Sequence, residues 1–424
     1  MRTDADIRNI ARIAGLSDSF ATDLIQRGAT VEEARAAAFD AMADRSAPEI
    51  RTEAAPRVVV GDSFDAPEVR ARAMGEALFS RVNPAHRPSD PARPYIGRTL
   101  PELAAECLRG RGITTTGLTG AAIVTRALHS TSDFPLLLGD AVGRTLRTAY
   151  EAAPSGVKAV ARQSTARDFR PKSKLMLGEA PALKKVGQNG EFTRGALAEA
   201  GESYRLDTFG RIIGVTRQAI VNDDLGAFAD LSRRVGAAAA EFEAAFLVDL
   251  LTAASGAGPA LSDGKPLFHT NHGNLAGTGA APTVDSLSDG RAALRRMKGL
   301  DGKTPINAAP RFILVPAALE TAAEKVMAQI YAAKADDTNP LAGTLTIAVD
   351  PRLDTKSESA WYLFADPEQV EVLEYSYLEN EPGPQTETRA GFDVDGVEIK
   401  VRLDFGAGAV DWRGAYRNPG SAPG

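Results

Sequence analysis

Residues 222–256 read NDDLGAFADLSRRVGAAAAEFEAAFLVDLLTAASG, and this stretch predicts one long amphipathic helix, the longest element in the chain. Asp223 or Asp224 is a suitable N-terminal cap, and Gly256 is a suitable stop. At 1.5 Å per residue, a helix of about 30 residues is about 45 Å long. The small residues at 236–240 allow another backbone to approach closely. Apolar side chains recur at steps of three and four, as on one face of a helix: Phe228, Leu231, Val235, Ala238, Phe242, Phe246 and Leu250.

The region after this helix mixes strand and helix patterns. VDSLSDGRAALRRMKG (284–299) and ALETAAEKVMAQIYAA (318–333) have helical spacing. The alternation in GFDVDGVEIKVRLDFGAGAVDW (391–412) predicts a pair of strands. Short apolar runs predict further strands, at RFILVP (311–316), LTIAVDP (345–351), AWYLFAD (360–366) and VEVLEYSYL (370–378). This irregular order favours an α+β fold over a doubly wound α/β sheet.

Residues 174–217 predict a long β-hairpin with a turn at 187–190, where Asn189 and Gly190 form the pair favoured in tight turns. Its arms contain few apolar residues, so both faces are polar. A hairpin of this kind has no core of its own to join, and we expect it to lie against a partner chain. The charged side chains on its arms are Lys174, Lys184, Lys185, Glu191, Arg194 and Glu199.

The first 98 residues predict a helical appendage on an extended tether. Three helices are expected within residues 3–45, and Thr30 with Glu33 has the spacing of a capping box. Residues 46–98 are rich in Pro, Ala, Arg and Asp, which favours an extended connector around one short helix at 67–80. Helices and globular structure are then expected from Thr99 onward.

Composition excludes several classes of protein. The 424-residue chain has a net charge of −6, so it lacks the basic bias of nucleic-acid-binding proteins. Its single cysteine, Cys107, cannot form an internal disulfide or a cysteine-built metal site, and we expect it to be a small buried residue. The sequence contains neither a signal-like N-terminus nor an apolar run of about 20 residues, so we expect a soluble protein made in the cytoplasm.

The stretch PLFHTNHGN (266–274) is the first candidate for a chemical site, because His269 and His272 are three residues apart. Zinc catalysis requires a third protein ligand, and the helical zinc motif requires a Glu beside the first His. Neighbouring glycines and a proline instead favour a loop with two polar anchors. A metallohydrolase using these two histidines remains a minor alternative.

Other possible catalytic motifs also have structural explanations. HSTSD (129–133) is rich in helix-capping residues, and its side chains are too close in sequence to form a hydrolase triad. The glycine clusters at 277–282 and 406–412 match neither nucleotide-binding pattern and are expected to be loops. We therefore expect no catalytic residue, no cofactor and no metal.

Five segments together resemble the Mu-like major head subunit family of tailed phages and prophages, which is often fused behind a Clp-type serine protease. The resemblance covers residues 95–417. It is carried by TLPELAAECLRGRGI (99–113), RALHSTSDFPLLLGDAVGRTLRTAYE (126–151), QAIVNDDLGAFADLSRRVGAAAAEFEAAFLVDLL (218–251), DGKPLFHTNHGNLA (263–276) and VEIKVRLDFGAGAVDWRGAY (397–416).

This resemblance implies the Hong Kong 97-type phage capsid fold. Its implied parts are a scaffold-like or linker segment (1–98), an N-terminal arm with helices (99–173), an extended hairpin loop (174–217), a peripheral domain with the spine helix (218–282), an axial domain (283–365), and peripheral strands with the C-terminal tail (366–424). No protease motif is present, so any maturation requires a separate enzyme. Some relatives crosslink a Lys to an Asn, but no motif here singles out a lysine for that reaction.

The implied function is that of a major capsid protein, not an enzyme, which assembles into hexamers and pentamers of an icosahedral head around double-stranded DNA. Implied partners are further copies of the chain, a portal, a prohead protease and decoration proteins, in a virion assembled in the bacterial cytoplasm. An encapsulin-like compartment is the alternative within this fold, and the long N-terminal appendage argues against it. As self-assembly residues we expect Lys174, Lys184, Lys185, Glu191, Arg194, Phe228, Phe242 and Phe246.

Overall fold

A computed structural model describes residues 2–46, 66–177, 199–300, 302–328, 344–391 and 395–421. The chain divides into two compact units, Met1–Ser63 and Phe64–Gly424. The first contains helices α1 (Arg2–Ile13), α2 (Asp18–Gln26) and α3 (Val31–Ser46), which pack around Ile7, Ala11, Ala21 and Ala34. The predicted capping box is present, since Thr30 N–H donates to Glu33 Oε2 at 2.9 Å and Glu33 N–H donates to Thr30 Oγ1 at 3.3 Å.

Four helices open the second unit: α4 (Pro67–Val82), α5 (Leu100–Gly110), α6 (Gly120–Ser130) and α7 (Asp133–Ala152). Helix α4 is not part of an extended tether, because Met74 and Leu78 are buried with Leu103 and Phe134 in one core. The compact unit therefore begins at Phe64 and not near Thr99. The Pro- and Arg-rich composition around α4 favoured a tether, although one face of this helix is apolar and packs on α7.

The rest of the second unit combines strands and helices. In chain order these are β1 (Ala161–Ala166), β2 (Lys172–Leu177), β3 (Glu199–Tyr204), β4 (Asp207–Thr216), α8 (Arg217–Val221), α9 (Leu225–Leu251), the short turn α10 (Ala253–Gly256), α11 (Val284–Arg296), β5 (Pro310–Val315), α12 (Glu320–Met327), β6 (Thr346–Val349), β7 (Trp361–Ala365), β8 (Leu373–Leu378), β9 (Gln385–Ala390), β10 (Gly396–Ala409) and β11 (Ala415–Asn418).

Within the described residues, the strands form three sheets. The largest has the order β1-β8-β10-β4, with β9 pairing on β10. The second has the order β11-β7-β5-β6, and β2 pairs with β3 in a separate two-stranded ribbon. Strand β1 is parallel to β8, whereas β10 is antiparallel to β4, β8 and β9. These mixed sheets with packed helices are the α+β class that the sequence predicts.

The long helix α9 is present, but its most buried face differs from the predicted apolar stripe. Phe242 and Phe246 are half-buried and Ala238 is exposed, whereas Gly236 and Ala240 are buried. A side-chain carbon on Gly236 would lie 2.2 Å from the Leu146 carbonyl oxygen. Small residues therefore let α7 pack closely against this face, as the block at 236–240 predicted.

Strand β10 corrects two predictions. It is one long strand, not a pair, and it pairs with β9 over Val397–Arg402. Gly406 and Gly408 belong to the strand instead of a loop. A side-chain carbon at Gly406 would lie 2.1 Å from the Arg205 carbonyl oxygen, and one at Gly408 would lie 2.8 Å from Tyr204. These glycines are required where the chain between β3 and β4 crosses the sheet.

Candidate functional site

The ribbon β2–β3 is the base of the predicted hairpin. Its strands are antiparallel, with Lys172 opposite Tyr204 and Lys174 opposite Glu202. In the described residues, these strands pair with each other and with no other strand. The predicted turn at 187–190 and the side chains of Lys184, Lys185, Glu191 and Arg194 lie outside the described residues.

A buried carboxylate, Glu374 of β8, holds the ribbon to the large sheet. Lys172 Nζ lies 2.6 Å from Glu374 Oε1, and Lys174 Nζ lies 2.8 Å from Oε2. The Tyr204 hydroxyl donates to Oε1 at 2.6 Å. The Glu374 side chain is completely shielded from solvent. One carboxylate therefore accepts hydrogen bonds from both strands of the ribbon.

The charged form of Glu374 is favoured despite its burial. Burial by itself opposes ionisation, but hydrogen bonds from Lys172, Lys174 and Tyr204 together outweigh it, so the pKa of Glu374 is lowered. Burial is also the main reason why the pKa of the Tyr204 hydroxyl is raised. The cluster therefore holds a carboxylate, two ammonium groups and a neutral phenol at neutral pH.

Further contacts at the ribbon are fewer and more exposed. Glu202 accepts from the Ser262 backbone N–H at 2.8 Å and from the Ser262 hydroxyl at 2.6 Å, at the surface. Lys174 also pairs with Glu371 at 2.5 Å. Leu175, on the opposite face from Lys174, is 66% exposed. The ribbon is thus tied down on one face and open on the other.

A second buried carboxylate, Glu243 of α9, joins the helices to the large sheet. Its side chain is fully buried and pairs with Lys158. The hydroxyls of Tyr150 and Tyr377 lie 2.8 Å and 3.0 Å from Glu243 Oε2. Burial and the Glu243 charge raise the pKa of both tyrosines, so their hydroxyls remain protonated and can donate. The helical periodicity did not predict a buried role for Glu243, because this residue lies beside the apolar stripe.

The described aromatic residues of the proposed assembly set pack within the chain. The rings of Phe242 and Phe209 are 4.5 Å apart, and those of Phe246 and Phe405 are 5.5 Å apart. They therefore fasten α9 beneath β4 and β10. The side chain of Phe228 lies outside the described residues.

The loop that contains His269 and His272 is built around Asn274. No sequence pattern predicted a role for this residue. Asn274 is fully buried; its Oδ1 accepts from the His269 N–H at 2.9 Å, and its Nδ2 donates to the Leu267 carbonyl at 2.7 Å. The ring of His272 stacks on Trp412 at 4.6 Å. The polar residue that secures a tight loop cannot be distinguished from its neighbours by sequence pattern alone.

Both nitrogens of His272 are occupied. Nδ1 lies 3.2 Å from the Leu267 carbonyl oxygen and Nε2 lies 2.9 Å from Asp263 Oδ2. Both ring nitrogens therefore already have a partner within the chain. His269 Nδ1 accepts from the Asn271 N–H at 3.1 Å. Among the described residues, no group of three His, Cys, Asp or Glu side chains is arranged to bind a metal ion.

Comparison with known proteins assigns the family. Residues 199–418, just over half of the chain, match the family described as phage capsid protein. The chain belongs to the phage capsid protein family. The matched region begins at β3 and ends with β11, so it contains Glu374, Tyr204, the long helix and the sheet β11-β7-β5-β6. Lys172 and Lys174 of the Glu374 cluster and strand β1 of the largest sheet precede it. None of the curated proteins compared with the chain matches it.

Solved structures with low similarity include three shells. The procapsid of bacteriophage JBD30 is 19% identical, with a TM-score of 0.40, over 69% of this chain and 77% of that one. The capsid of Ralstonia phage GP4 is 12% identical, with a TM-score of 0.44, over 62% and 88%. A virus-like particle from Pyrococcus furiosus is 10% identical, with a TM-score of 0.38, over 65% and 97%. Because these values are low, the assignment rests on the family match.

Family membership identifies the protein as a phage capsid component with a structural role. The predicted Hong Kong 97-type fold is confirmed, and α9 is its long helix. The assignment of β2–β3 to an extended loop stays a prediction. None of the helices in the described part of the chain combines the length and apolar content that crossing a bilayer requires.

Proposed function

We propose that the protein is the major head subunit of a Mu-like phage or prophage, which assembles into hexamers and pentamers of an icosahedral shell around double-stranded DNA. The observation that carries this proposal is the β2–β3 ribbon, which is tied to the subunit through Lys172, Lys174 and Tyr204 on one face and is open on the other, where Leu175 is 66% exposed. Within a family of capsid proteins, such an arm stabilises a shell by repeated burial on neighbouring copies.

In this proposal the charged hairpin residues contact a neighbouring subunit. Lys184, Lys185, Glu191 and Arg194 supply these contacts, and Lys174 links the arm to its own subunit. Phe242 and Phe246 contribute indirectly, because they hold α9 against the sheet. The contribution of Phe228 to assembly stays a prediction.

The remaining parts of the proposal concern partners. The subunit has no catalytic role, and a separate prohead protease carries out any maturation. A portal and decoration proteins complete the head, which assembles in the cytoplasm of the bacterial host. Of the predicted segment 1–98, the part before Phe64 is scaffold-like and is removed in mature particles, whereas α4 is retained because Met74 and Leu78 lie in the core of the second unit.

Negative-stain electron microscopy of the purified protein tests this proposal. We expect closed shells or rings of subunits, either from the protein alone or after co-expression with its scaffold or protease. A strictly monomeric protein under all of these conditions would contradict it. Analysis of the shell contents separates the alternatives, since nucleic acid supports a phage head and a single cargo protein supports an encapsulin-like compartment.

A further inference from the structure

We propose that Glu374 is the positioning residue of the hairpin: its buried carboxylate fixes the direction in which the arm leaves the subunit. This inference rests on the proposed function for its consequence in assembly, but its geometric part can be tested on the unassembled subunit. The basis is the convergence of both strands of the ribbon on this side chain.

The donors come from positions that define a plane at the base of the arm. Lys172 and Lys174 are successive inward-facing residues of β2, and Tyr204 lies opposite Lys172 on β3. Their three polar atoms lie within 2.6–2.8 Å of the two oxygens of Glu374. Three attachment points on two strands restrict both tilt and twist of the ribbon, which a single contact could not do.

Neighbouring groups complete the cluster without replacing Glu374. Lys172 also donates to Ser164 Oγ at 2.6 Å and to Ser376 Oγ at 3.1 Å. Hydroxyls are neutral acceptors and do not balance an ammonium charge. Glu371 reaches Lys174 but has no bond to Lys172 or Tyr204 among those described for the chain. The Ser376 hydroxyl also reaches both strands, since it lies 2.6 Å from the Tyr204 hydroxyl as well, but it is neutral. Among the described residues, Glu374 is thus the charged acceptor that both strands share.

Replacing Glu374 with Gln should release the arm while preserving side-chain shape. The amide offers one acceptor oxygen in place of two and carries no charge, so two ammonium groups at the base lose their common counter-ion. Removing one partner of a buried ion pair leaves an uncompensated charge, and we expect the least firmly attached element of the cluster to move away from it. Here that element is the ribbon, because it pairs with no other described strand.

A spin-label distance measurement on the full-length unassembled subunit tests this inference. One label is placed on the exposed Ser173 of β2 by Ser173→Cys and the other on the exposed Arg234 of α9 by Arg234→Cys. The native Cys107 is buried, and burial raises the pKa of its thiol to about 12, so it does not take up label. We expect a narrow distance distribution in the parent and one about twofold broader or more in Glu374→Gln.

Glu243→Gln is the matched control. Glu243 is an equally buried carboxylate held by a lysine and two tyrosine hydroxyls, but it does not contact the ribbon. This variant should lower the unfolding temperature by an amount similar to Glu374→Gln and leave the distance distribution narrow. Equal broadening in both variants, or none in Glu374→Gln, would overturn the proposal.

Tyr204→Phe provides a second reading if Glu374→Gln does not fold. It removes one hydrogen bond to Glu374 and retains the ring beside Gly408. We expect intermediate broadening, and an unchanged distribution would count against the proposal. Since these measurements use single subunits, failure of the parent protein to form shells would reject the proposed function and leave this result standing.

Discussion

At the scale of single residues, the buried amide of Asn274 organises the loop in which His269 and His272 were the predicted anchors. Its side chain satisfies the His269 N–H and the Leu267 carbonyl, and it also lies 3.4 Å from the Trp412 carbonyl. A buried backbone group without a partner costs about 1–3 kcal/mol. Asn274 therefore stabilises the loop more than the half-buried His269 does.

Asn274→Ala should lower the free energy of unfolding by about 1–3 kcal/mol, because it leaves the His269 N–H without its acceptor, while the Leu267 carbonyl keeps its contact with His272 Nδ1. His269→Ala removes one cap and should cost less than about 1 kcal/mol. His272→Ala should fall between them, through loss of the Trp412 stack. Urea unfolding followed by tryptophan fluorescence measures all three. A larger loss for His269→Ala than for Asn274→Ala would contradict this order.

Cys107 provides a second residue-scale prediction. Burial raises the pKa of its thiol to about 12, so almost no thiolate exists at pH 8. A thiol-reactive dye at pH 8 should therefore label the native protein far more slowly than the protein in denaturant, where one equivalent should react. Rapid stoichiometric labelling of native protein would show that the α5 core opens. The Ser173→Cys variant serves as the exposed positive control.

At the scale of elements, the crossing of α7 and α9 depends on one glycine. Gly236 is buried beside the Leu146 carbonyl and the Ala149 methyl, where a side-chain carbon would be 2.2 Å and 3.1 Å from its neighbours. The nearest neighbour is backbone, so it cannot move aside without shifting α7. The close packing of these helices is thus sensitive to a single added methyl group.

Gly236→Ala should reduce the free energy of unfolding by about 1–3 kcal/mol through overpacking. Gly226→Ala is a matched control on the same helix, since its nearest neighbour would be 3.5 Å away, an ordinary contact. That change should be neutral or stabilising by up to about 1 kcal/mol, because Ala favours helix over Gly. Thermal unfolding of both variants checks the prediction, and equal destabilisation would refute it.

The attachment of the hairpin should tolerate mild acid. Burial opposes ionisation of Glu374, yet its three hydrogen bonds lower its pKa below the ordinary value of 4.5. A carboxyl with a lowered pKa contributes stability above its unfolded pKa and loses it as pH falls through the folded value. The Ser173 to Arg234 label distance should therefore stay narrow from pH 7 to pH 5 and broaden only below the usual range of a glutamate. Broadening at pH 6 would contradict this.

At the scale of the whole molecule, the boundary between the two compact units lies between Ser63 and Phe64 in the sequence. Helix α4 belongs to the second unit, because Met74 and Leu78 lie in its core. The Pro-rich sequence that suggested a tether over residues 46–98 therefore includes a helix on which the folded body depends.

Limited trypsin digestion should cut at Arg51 or Arg57 before it cuts at the arginines of α4. The expected product is a stable fragment that begins before Pro67, since removal of α4 would expose core residues of the second unit. Mass spectrometry of the digest identifies the N-terminus. A stable fragment beginning at Thr99 would show that α4 is dispensable, and an uncut chain would show that the sequence between the units is protected.

Local patterns in the sequence predicted much of the fold. The long helix α9 and the capping box at Thr30 both depend on residues close together in the chain. The resemblance of five segments predicted a phage capsid protein, and the family match confirms this. Such features are determined by backbone geometry and short-range contacts, which a single sequence displays directly.

What the sequence alone determined was the set of elements and their class; the tertiary structure decided which polar residues matter. Glu374 gains its role from Lys172, Lys174 and Tyr204, at least 170 residues away, and Glu243 from Tyr377, 134 residues away. In PLFHTNHGN (266–274), the anchor is Asn274, which is buried only in the folded chain, and the ring of His272 stacks on the distant Trp412. The stability of a buried charge or amide depends on donors and shielding supplied by the folded chain, and no local pattern encodes either one.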